Sequence, residues 1–411
     1  MYRSLTHLPV RRDPASTTAL LDALRRALDG SGPALAPVDA LTHDGDPADP
    51  GGGRTGLPTR VSTPLPGQLP THVPDEVALV VTTSGSTGPG RAVLLDARAL
   101  LASAHATHER LAGPGRWVLA LPLTHIAGLQ VLLRSVVAGT APVVLDPGAF
   151  DPAAFCAATA AAVSSADEPV YTSLVPTQVH RLLGWAEQTG GSLAPLRGLA
   201  AVLVGGAATA PTTLDRAREH GLPVVTTYGM TETCGGCVYD GVPLAGVRVG
   251  LDDGVVRLAG PVLARGYADG HDEAFSVDGA GVRWFTTRDL GRLDGTLEVL
   301  GRADDVIVTG GEKVPPAAVE AVLVTLPGVA DACVVGLPDD EWGQVVTAVV
   351  VLDRAAGGPA PTLEQVRALV SRTLWNAAAP RRLLVVDALP ERGPGKVDRA
   401  EVARRAAAAS V

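Results

Sequence analysis

The chain has 411 residues, of which 46% are apolar and 19% charged, with 47 glycines and 33 prolines. One hydrophobic core rarely serves a chain of this length, so at least two domains are expected, and the composition reads as loop-rich α/β rather than disordered. A formal net charge of −9, with no long Lys/Arg run, excludes nucleic acid and an anionic membrane as main partners.

Met1 to Ser16 carries charges and prolines and no continuous apolar stretch. No uninterrupted run of ~18 apolar residues occurs elsewhere, so no membrane insertion is expected and the chain is placed in the cytoplasm. The first predicted element is an amphipathic helix over residues 13 to 30, where Leu20, Leu21, Leu24, Ala27 and Leu28 recur at helical spacing and Gly30 ends the pattern. His43 to Pro58, rich in Gly, Asp and Pro, reads as a mobile loop. From Glu76 onward short β-branched runs (Val77–Thr82, Val118–Pro122, Val143–Leu145, Val170–Thr172, Ala201–Val204, Val224–Thr227) alternate with helical segments such as Ala97–Arg110, Thr177–Gln188 and Thr212–His220. That alternation predicts largely parallel sheets covered by helices. Between Val247 and Leu300 turn signals crowd in, which predicts an antiparallel β unit, and a smaller α+β domain is expected after Gly301. The tail from Ala400 reads as the end of an Ala/Arg-rich helix.

Four cysteines, at 156, 234, 237 and 333, are too few and too scattered for a disulfide framework. Cys234-Gly-Gly-Cys237 lacks a second Cys/His pair at ligand spacing, so it reads as two small residues lining a pocket rather than a zinc or redox site.

Chemistry first shows at Thr82-Thr83-Ser84-Gly85-Ser86-Thr87-Gly88-Pro89-Gly90-Arg91, directly after an apolar strand. Small residues there let backbone N–H groups approach an anion, and the hydroxyls add donors. Arg91 and Ala92 stand where a Walker loop needs Lys and Ser/Thr, so a Walker site is rejected. Leu121-Pro122-Leu123-Thr124-His125-Ile126-Ala127-Gly128-Leu129, Gly205-Gly206-Ala207 after a strand, Tyr228-Gly229-Met230-Thr231-Glu232-Thr233 after another, and Thr287-Arg288-Asp289-Leu290-Gly291 follow in order. Gly301-Arg302-Ala303-Asp304-Asp305 to Gly310-Gly311-Glu312-Lys313, and Pro390 to Lys396 and Arg399, complete the set.

Taken together from residue 75 to 400, these segments resemble the motifs of the adenylate-forming superfamily of acyl-CoA synthetases, luciferases and adenylation domains. The chain departs from that pattern with Gly90 for Pro, Arg91 for Lys, Arg288 for Gly and Val308 for Lys. The resemblance implies that Thr83, Ser84, Gly85, Ser86, Thr87, Gly88 and Arg91 meet the ATP phosphates. It implies that Gly205, Gly206 and Ala207 carry the adenine and that Tyr228 stacks on it with Gly229 and Met230 alongside. Thr231 would meet the α-phosphate, Glu232 would hold Mg²⁺, and Asp289 and Arg302 would bind the ribose. His125 would line the acyl pocket as a catalytic group, Asp304 would be the pivot, Gly310, Gly311 and Glu312 would approach CoA, and Lys396 would be the adenylation lysine. The implied organisation is an ATP- and acyl-binding domain over 1–301, a hinge over 302–305 and a mobile C-terminal domain over 306–411.

Finer likeness, in His125 to Ser135, Tyr171 to Gln178 and Tyr228 to Pro243, is to the o-succinylbenzoate–CoA ligase group of actinobacterial type. ATP, CoA and o-succinylbenzoate are then the small-molecule partners, Mg²⁺ the metal, and a homodimer an allowed assembly. Polar candidates for the acyl substrate are His125, Gln130, Ser173, Thr177 and Gln178, with Gly229, Cys234 and Gly235 lining the pocket. Another aryl- or acyl-CoA ligase, a stand-alone adenylation domain, and a nucleotide-binding protein without ligase activity remain as alternatives.

Overall fold

The computed structural model describes residues 1–39, 69–83, 90–145, 148–352, 359–393 and 396–409. The loop expected from His43 to Pro58, the phosphate-segment residues Ser84, Gly85, Ser86, Thr87 and Gly88, and the side chain of Lys396 lie outside what it describes.

The first helix, Pro14–Asp29, begins where Asp13 accepts from the Ser16 amide and a proline opens the first turn, and it ends at Gly30 in the left-handed region. It buries Leu20, Leu21, Leu24 and Ala27 and packs on the helices Ala97–Arg110 and Ile126–Ala138. A strand the sequence reading lacks, Tyr2–Val10, precedes it and pairs in parallel with Ala34–Asp39. Its side chains are mostly partly exposed, and its apolar residues (Leu5, Leu8, Val10) do not alternate regularly with polar ones.

The N-terminal part holds two large sheets. In the six-stranded one the order runs Gly266–Tyr267, Ala92–Asp96, Val77–Thr82, Ala34–Asp39, Tyr2–Val10, His72–Pro74. In the seven-stranded one Val143–Val144, Arg116–Leu119, Val170–Leu174, Ala201–Val204 and Val224–Met230 are all parallel, and Gly235–Tyr239 and Val242–Pro243 return antiparallel at one edge. The strand expected over Val118–Pro122 is shifted to Arg116–Leu119, because Pro122 has no N–H to extend the ladder. The predicted antiparallel unit is present as Arg248–Asp252, Val255–Ala259, Phe275–Val277, Arg283–Asp294 and Thr296–Arg302.

Beyond residue 306 the strands Glu312–Val314, Ile307–Thr309, Gly343–Leu352, Val329–Asp339 and Arg382–Val386 form one sheet, packed by the helices Pro316–Leu323 and Arg399–Ala408. Among the described residues no hydrophobic cluster draws members from both sides of 302–305. Among them, too, no helix is long and apolar enough to cross a membrane.

One partly buried ion pair ties the end of this second part to its beginning. The Arg399 guanidinium holds the Glu320 carboxylate through both ends, at 2.5 and 2.7 Å, donates to the Val334 carbonyl at 2.9 Å, and reaches Asp305 at 3.2 Å. Burial alone would lower Arg399, yet these carboxylates hold its pKa above the ordinary value. Removing one partner leaves a half-buried carboxylate unpaired, so Arg399→Ala should destabilise by ~2 kcal/mol. A clear fall in the urea unfolding midpoint is expected for Arg399→Ala and almost none for Arg404→Ala, whose side chain is 73% exposed. Equal midpoints would contradict this role.

Candidate active site

The carboxyl ends of parallel strands are where an open α/β sheet offers a crevice to a ligand. There the strand Val224–Met230 delivers Tyr228, and the short turn Thr231–Thr233 delivers Thr231 and Glu232. Thr233 holds this turn by accepting from the Met230 amide at 2.9 Å and donating to the Gly235 carbonyl at 2.7 Å. Gly229 is required by contact: a Cβ there would lie 2.2 Å from the Gly235 carbonyl oxygen. Gly205 follows the neighbouring strand Ala201–Val204, and its amide donates to the Leu174 carbonyl at 3.2 Å. Gly206 lies against Val175, so the Gly205–Ala207 segment borders the strand that carries Ser173.

Tyr228, Asp289 and Arg302 meet, although they lie on three strands of two sheets. The Tyr228 hydroxyl donates to Asp289 Oδ2 at 2.7 Å, and Arg302 Nη1 stands 3.8 Å from Asp289 Oδ1. Asp289 and Arg302 are cross-strand partners, which fixes their neighbourhood through the backbone. Burial first, and then the Asp289 charge, push the Tyr228 phenol above its ordinary pKa, so it stays a donor at neutral pH. Arg302 also forks onto Asp304 at 2.8 and 2.7 Å, and Arg288, which replaces the family glycine, approaches the same carboxylate at 3.5 Å. Burial would raise Asp304, but the Arg302 bonds and charge hold it below the usual carboxylate value.

Glu232 accepts from the Tyr267 hydroxyl at 2.9 Å. Burial, then Glu232, raise this phenol as well. Among the described residues no group of three or more His, Cys, Asp or Glu side chains could cage a metal. Glu232 offers a carboxylate oxygen donor of the kind that hard divalent ions such as Mg²⁺ take.

Arg91, expected at the ATP phosphates, is held by protein neighbours. Its guanidinium bonds Asp269 through two nitrogens, at 3.0 and 2.7 Å, and lies 3.4 Å from the centroid of the Tyr267 ring. Thr83 Oγ1 accepts from the Arg91 amide at 3.0 Å, closing the base of the segment whose tip lies outside the described residues.

On the acyl side, His125 caps the helix Ile126–Ala138, and Gln130 and Ile126 of that helix lie against Gly235. Two expected substrate donors are committed to backbone. Gln130 Nε2 donates to the Cys234 carbonyl at 2.5 Å, where Ser103 also donates. Gln178 accepts from the Val175 amide at 3.0 Å and donates to the Ala120 carbonyl at 2.9 Å, capping its own helix. Cys234, expected to line the acyl pocket, is fully buried, and burial pushes its thiol far up. Cys237 is buried too, its thiol raised to about 12, so neither offers a thiolate near neutrality. His125 and Thr177 are half-buried and Ser173 is buried.

Beyond residue 306, Gly310 and Gly311 form a two-residue hairpin turn with φ of 56° and 84°, which side chains rarely tolerate. Exposed Glu312 follows. Beside this turn lies a small pocket lined by Thr309, Trp342, Arg367 and Asn376, with Arg381 stacked 3.8 Å over the Trp342 ring. Sequence reasoning missed Tyr267, Asp269, Trp342 and Arg381. The scarcity of aromatics, 3% of residues, was the one available signal for Tyr267 and Trp342.

The profile of AMP-binding enzymes matches residues 15–268, and that of the AMP-binding enzyme C-terminal domain matches 318–396. A Mycobacterium tuberculosis protein named probable 2-succinylbenzoate–CoA ligase is 48% identical over 400 residues, covering 95% of this chain and 96% of its own length. An Enterococcus faecalis 2-succinylbenzoate–CoA ligase is 31% identical over 351 residues, 79% of this chain and 68% of that one. The solved o-succinylbenzoate CoA synthetase of Bacillus subtilis, in complex with the acyl-adenylate intermediate, superposes with a TM-score of 0.67 at 28% identity, covering 81% of this chain and 70% of that one. The same enzyme has been solved with ATP and a magnesium ion.

The Gln178 bonds imply a purely structural part for that side chain. Gln178→Leu should destabilise by ~2 kcal/mol, because two backbone groups lose their partners. Thermal unfolding alongside a panel of carboxylate substrates checks this: the midpoint should fall while the ranking of substrates stays unchanged. A changed ranking at an unchanged midpoint would return Gln178 to the acyl pocket.

Proposed function

Since the chain belongs to the AMP-binding enzyme family, we propose that it is an ATP-dependent 2-succinylbenzoate–CoA ligase that works through an acyl-adenylate. The observation that carries this reading is the convergence of Tyr228, Asp289 and Arg302 beside the Glu232 turn, within a chain 48% identical over nearly its whole length to a protein of that name.

In the first half-reaction a carboxylate oxygen of the substrate attacks the α-phosphorus of ATP and the bond to pyrophosphate breaks. In the second, the CoA thiol attacks the acyl carbon and AMP leaves. No protein nucleophile is required, and the four cysteines are all buried and unpaired. The chain's task is to orient and to stabilise charge. Tyr228 presents its ring to the base, Asp289 and Arg302 present an acceptor and donors to the ribose, and Gly205, Gly206 and Ala207 border the base and acyl group. Thr231 and Lys396 meet the α-phosphate. Glu232 would hold Mg²⁺, which neutralises phosphate charge when bound.

We assign residues 1–301 to the ATP- and acyl-binding domain, 302–305 to a hinge with Asp304 as pivot, and 306–411 to a mobile domain. Hydrophobic clusters that stop on either side of 302–305 support this division. Rotation would withdraw Lys396 after adenylation and bring Gly310, Gly311 and Glu312 to the pantetheine. The pocket of Trp342, Arg367 and Arg381 beside that turn has the aromatic face and cationic groups that suit the nucleotide end of CoA. His125, Ser173 and Thr177 are the proposed donors to the ring carboxylate, and the cytoplasm is the proposed compartment.

Lys396→Ala should abolish carboxylate-dependent pyrophosphate release yet spare thioester formation from supplied acyl-adenylate, because its ammonium is needed at phosphorus only in the first step. Parallel loss of both half-reactions in single-turnover assays would contradict the two-state assignment. Buried donors deprived of the ring carboxylate would each cost ~1–3 kcal/mol, so 4-oxo-4-phenylbutyrate, which lacks that group, should show kcat/KM at least ~10-fold lower than o-succinylbenzoate. Comparable values would leave a general aryl-acyl–CoA ligase.

A further inference from the structure

The carboxylate assigned to Mg²⁺ and the end of the phosphate segment lie on different elements, and a continuous set of contacts joins them. The strand Gly266–Tyr267 pairs antiparallel with Ala92–Asp96, Tyr267 opposite Val93, and the Ala268 amide donates to the Ala92 carbonyl at 2.9 Å. This register sets Tyr267 beside Arg91. The Arg91 guanidinium carbon lies over the ring, 3.4 Å from its centroid. Asp269, two residues on, takes Nε and Nη2 of the same guanidinium, and the His271 carbonyl takes Nη2 at 2.5 Å. The edge of Phe275 packs against the Tyr267 ring, with centroids 5.8 Å apart and planes at 62°. At the far end of the ring the hydroxyl donates to Glu232 Oε1, and the Glu232 carbonyl accepts from the Ala264 amide at 2.8 Å, so one short segment grips the glutamate at two points.

Only a planar fork can meet a carboxylate with two parallel N–H bonds while laying its face on an aromatic ring; an ammonium can do one or the other. The replacement of the family lysine by Arg91 thus fits the neighbours it has. We propose that Arg91 is a positioning residue: with Asp269 it clamps the Tyr267 ring, and the Tyr267 hydroxyl fixes the Glu232 carboxylate in the orientation that receives Mg²⁺ with ATP. The inference rests on the reading of Glu232 given above. The rival reading is an ordinary surface pair, since the Arg91 and Asp269 side chains are 35% and 45% exposed, and such pairs contribute little. The two readings differ in the metal dependence of ATP binding, not in stability.

The test is ATP binding to the full-length protein by calorimetry across a Mg²⁺ titration, with the unfolding midpoint measured in parallel. Groups that orient a metal ligand typically govern ~10-fold or more in metal affinity, so Tyr267→Phe, which keeps the ring but loses the donor, should raise the half-saturating Mg²⁺ concentration ~10-fold at an unchanged midpoint. Arg91→Lys should raise it several-fold in the same assay. In a Glu232→Gln background, Tyr267→Phe should add nothing further, because its effect passes through that carboxylate. If Glu232→Gln shifts the titration but Tyr267→Phe or Arg91→Lys does not, or if Arg91→Lys binds ATP more tightly, the clamp is wrong and the metal reading stands. Additive effects of Tyr267→Phe and Glu232→Gln would likewise overturn the relay. If Glu232→Gln leaves the titration unmoved, the metal reading falls and the clamp falls with it.

Discussion

The 2.7 Å hydrogen bond from the Tyr228 hydroxyl to Asp289 joins the last parallel strand of the seven-stranded sheet to the longest strand of the antiparallel unit. Each side of it is set by backbone geometry. Tyr228 precedes the bulge at Gly229, where the chain can turn back only because no side chain intervenes. Asp289 is held by its ladder partner Arg302 and by the Thr287 hydroxyl, which accepts from its amide at 3.0 Å. A hydrogen bond to a partly buried carboxylate contributes ~1.5–3 kcal/mol, enough to make the relative placement of the two sheets, and so the nucleotide site, one specific arrangement.

From that junction the site extends in two directions. One leads through Glu232 and Tyr267 to Arg91, across the seam between the seven-stranded and the six-stranded sheets. The other leads through Arg302 to Asp304 and then, past Asp305, to Arg399 and Glu320, close in sequence to Lys396. Charged pairs thus mark both routes, whereas apolar packing stops at the proposed hinge. The proposed rotation of the smaller part would then expose little hydrophobic core.

The proposed nucleotide-site residues could be located in the sequence by the strands and motifs around them. Tyr228 and Glu232 fall where the run Val224–Thr227 ends, and Asp289 and Arg302 fall in motifs of fixed spacing. The supporting contacts were not legible for the same physical reason throughout. Arg91 and Asp269 are 178 residues apart, and nothing local in either segment announces the pair. Gln130 and Gln178 have the chemistry of substrate donors, and only the positions of the Cys234 and Ala120 carbonyls reveal that backbone has claimed them. The strand Tyr2–Val10 is read from its ladder with Ala34–Asp39 rather than from periodicity, since its side chains are neither alternately apolar nor fully buried.

The central claim, that this chain activates a carboxylate by joining it to AMP, is tested most directly by exchange of labelled pyrophosphate into ATP. The account predicts exchange that requires o-succinylbenzoate and Mg²⁺ and proceeds with CoA left out, because the adenylate forms before the thiol acts. Exchange that needs CoA, or release of ADP and phosphate in place of AMP and pyrophosphate, would contradict it.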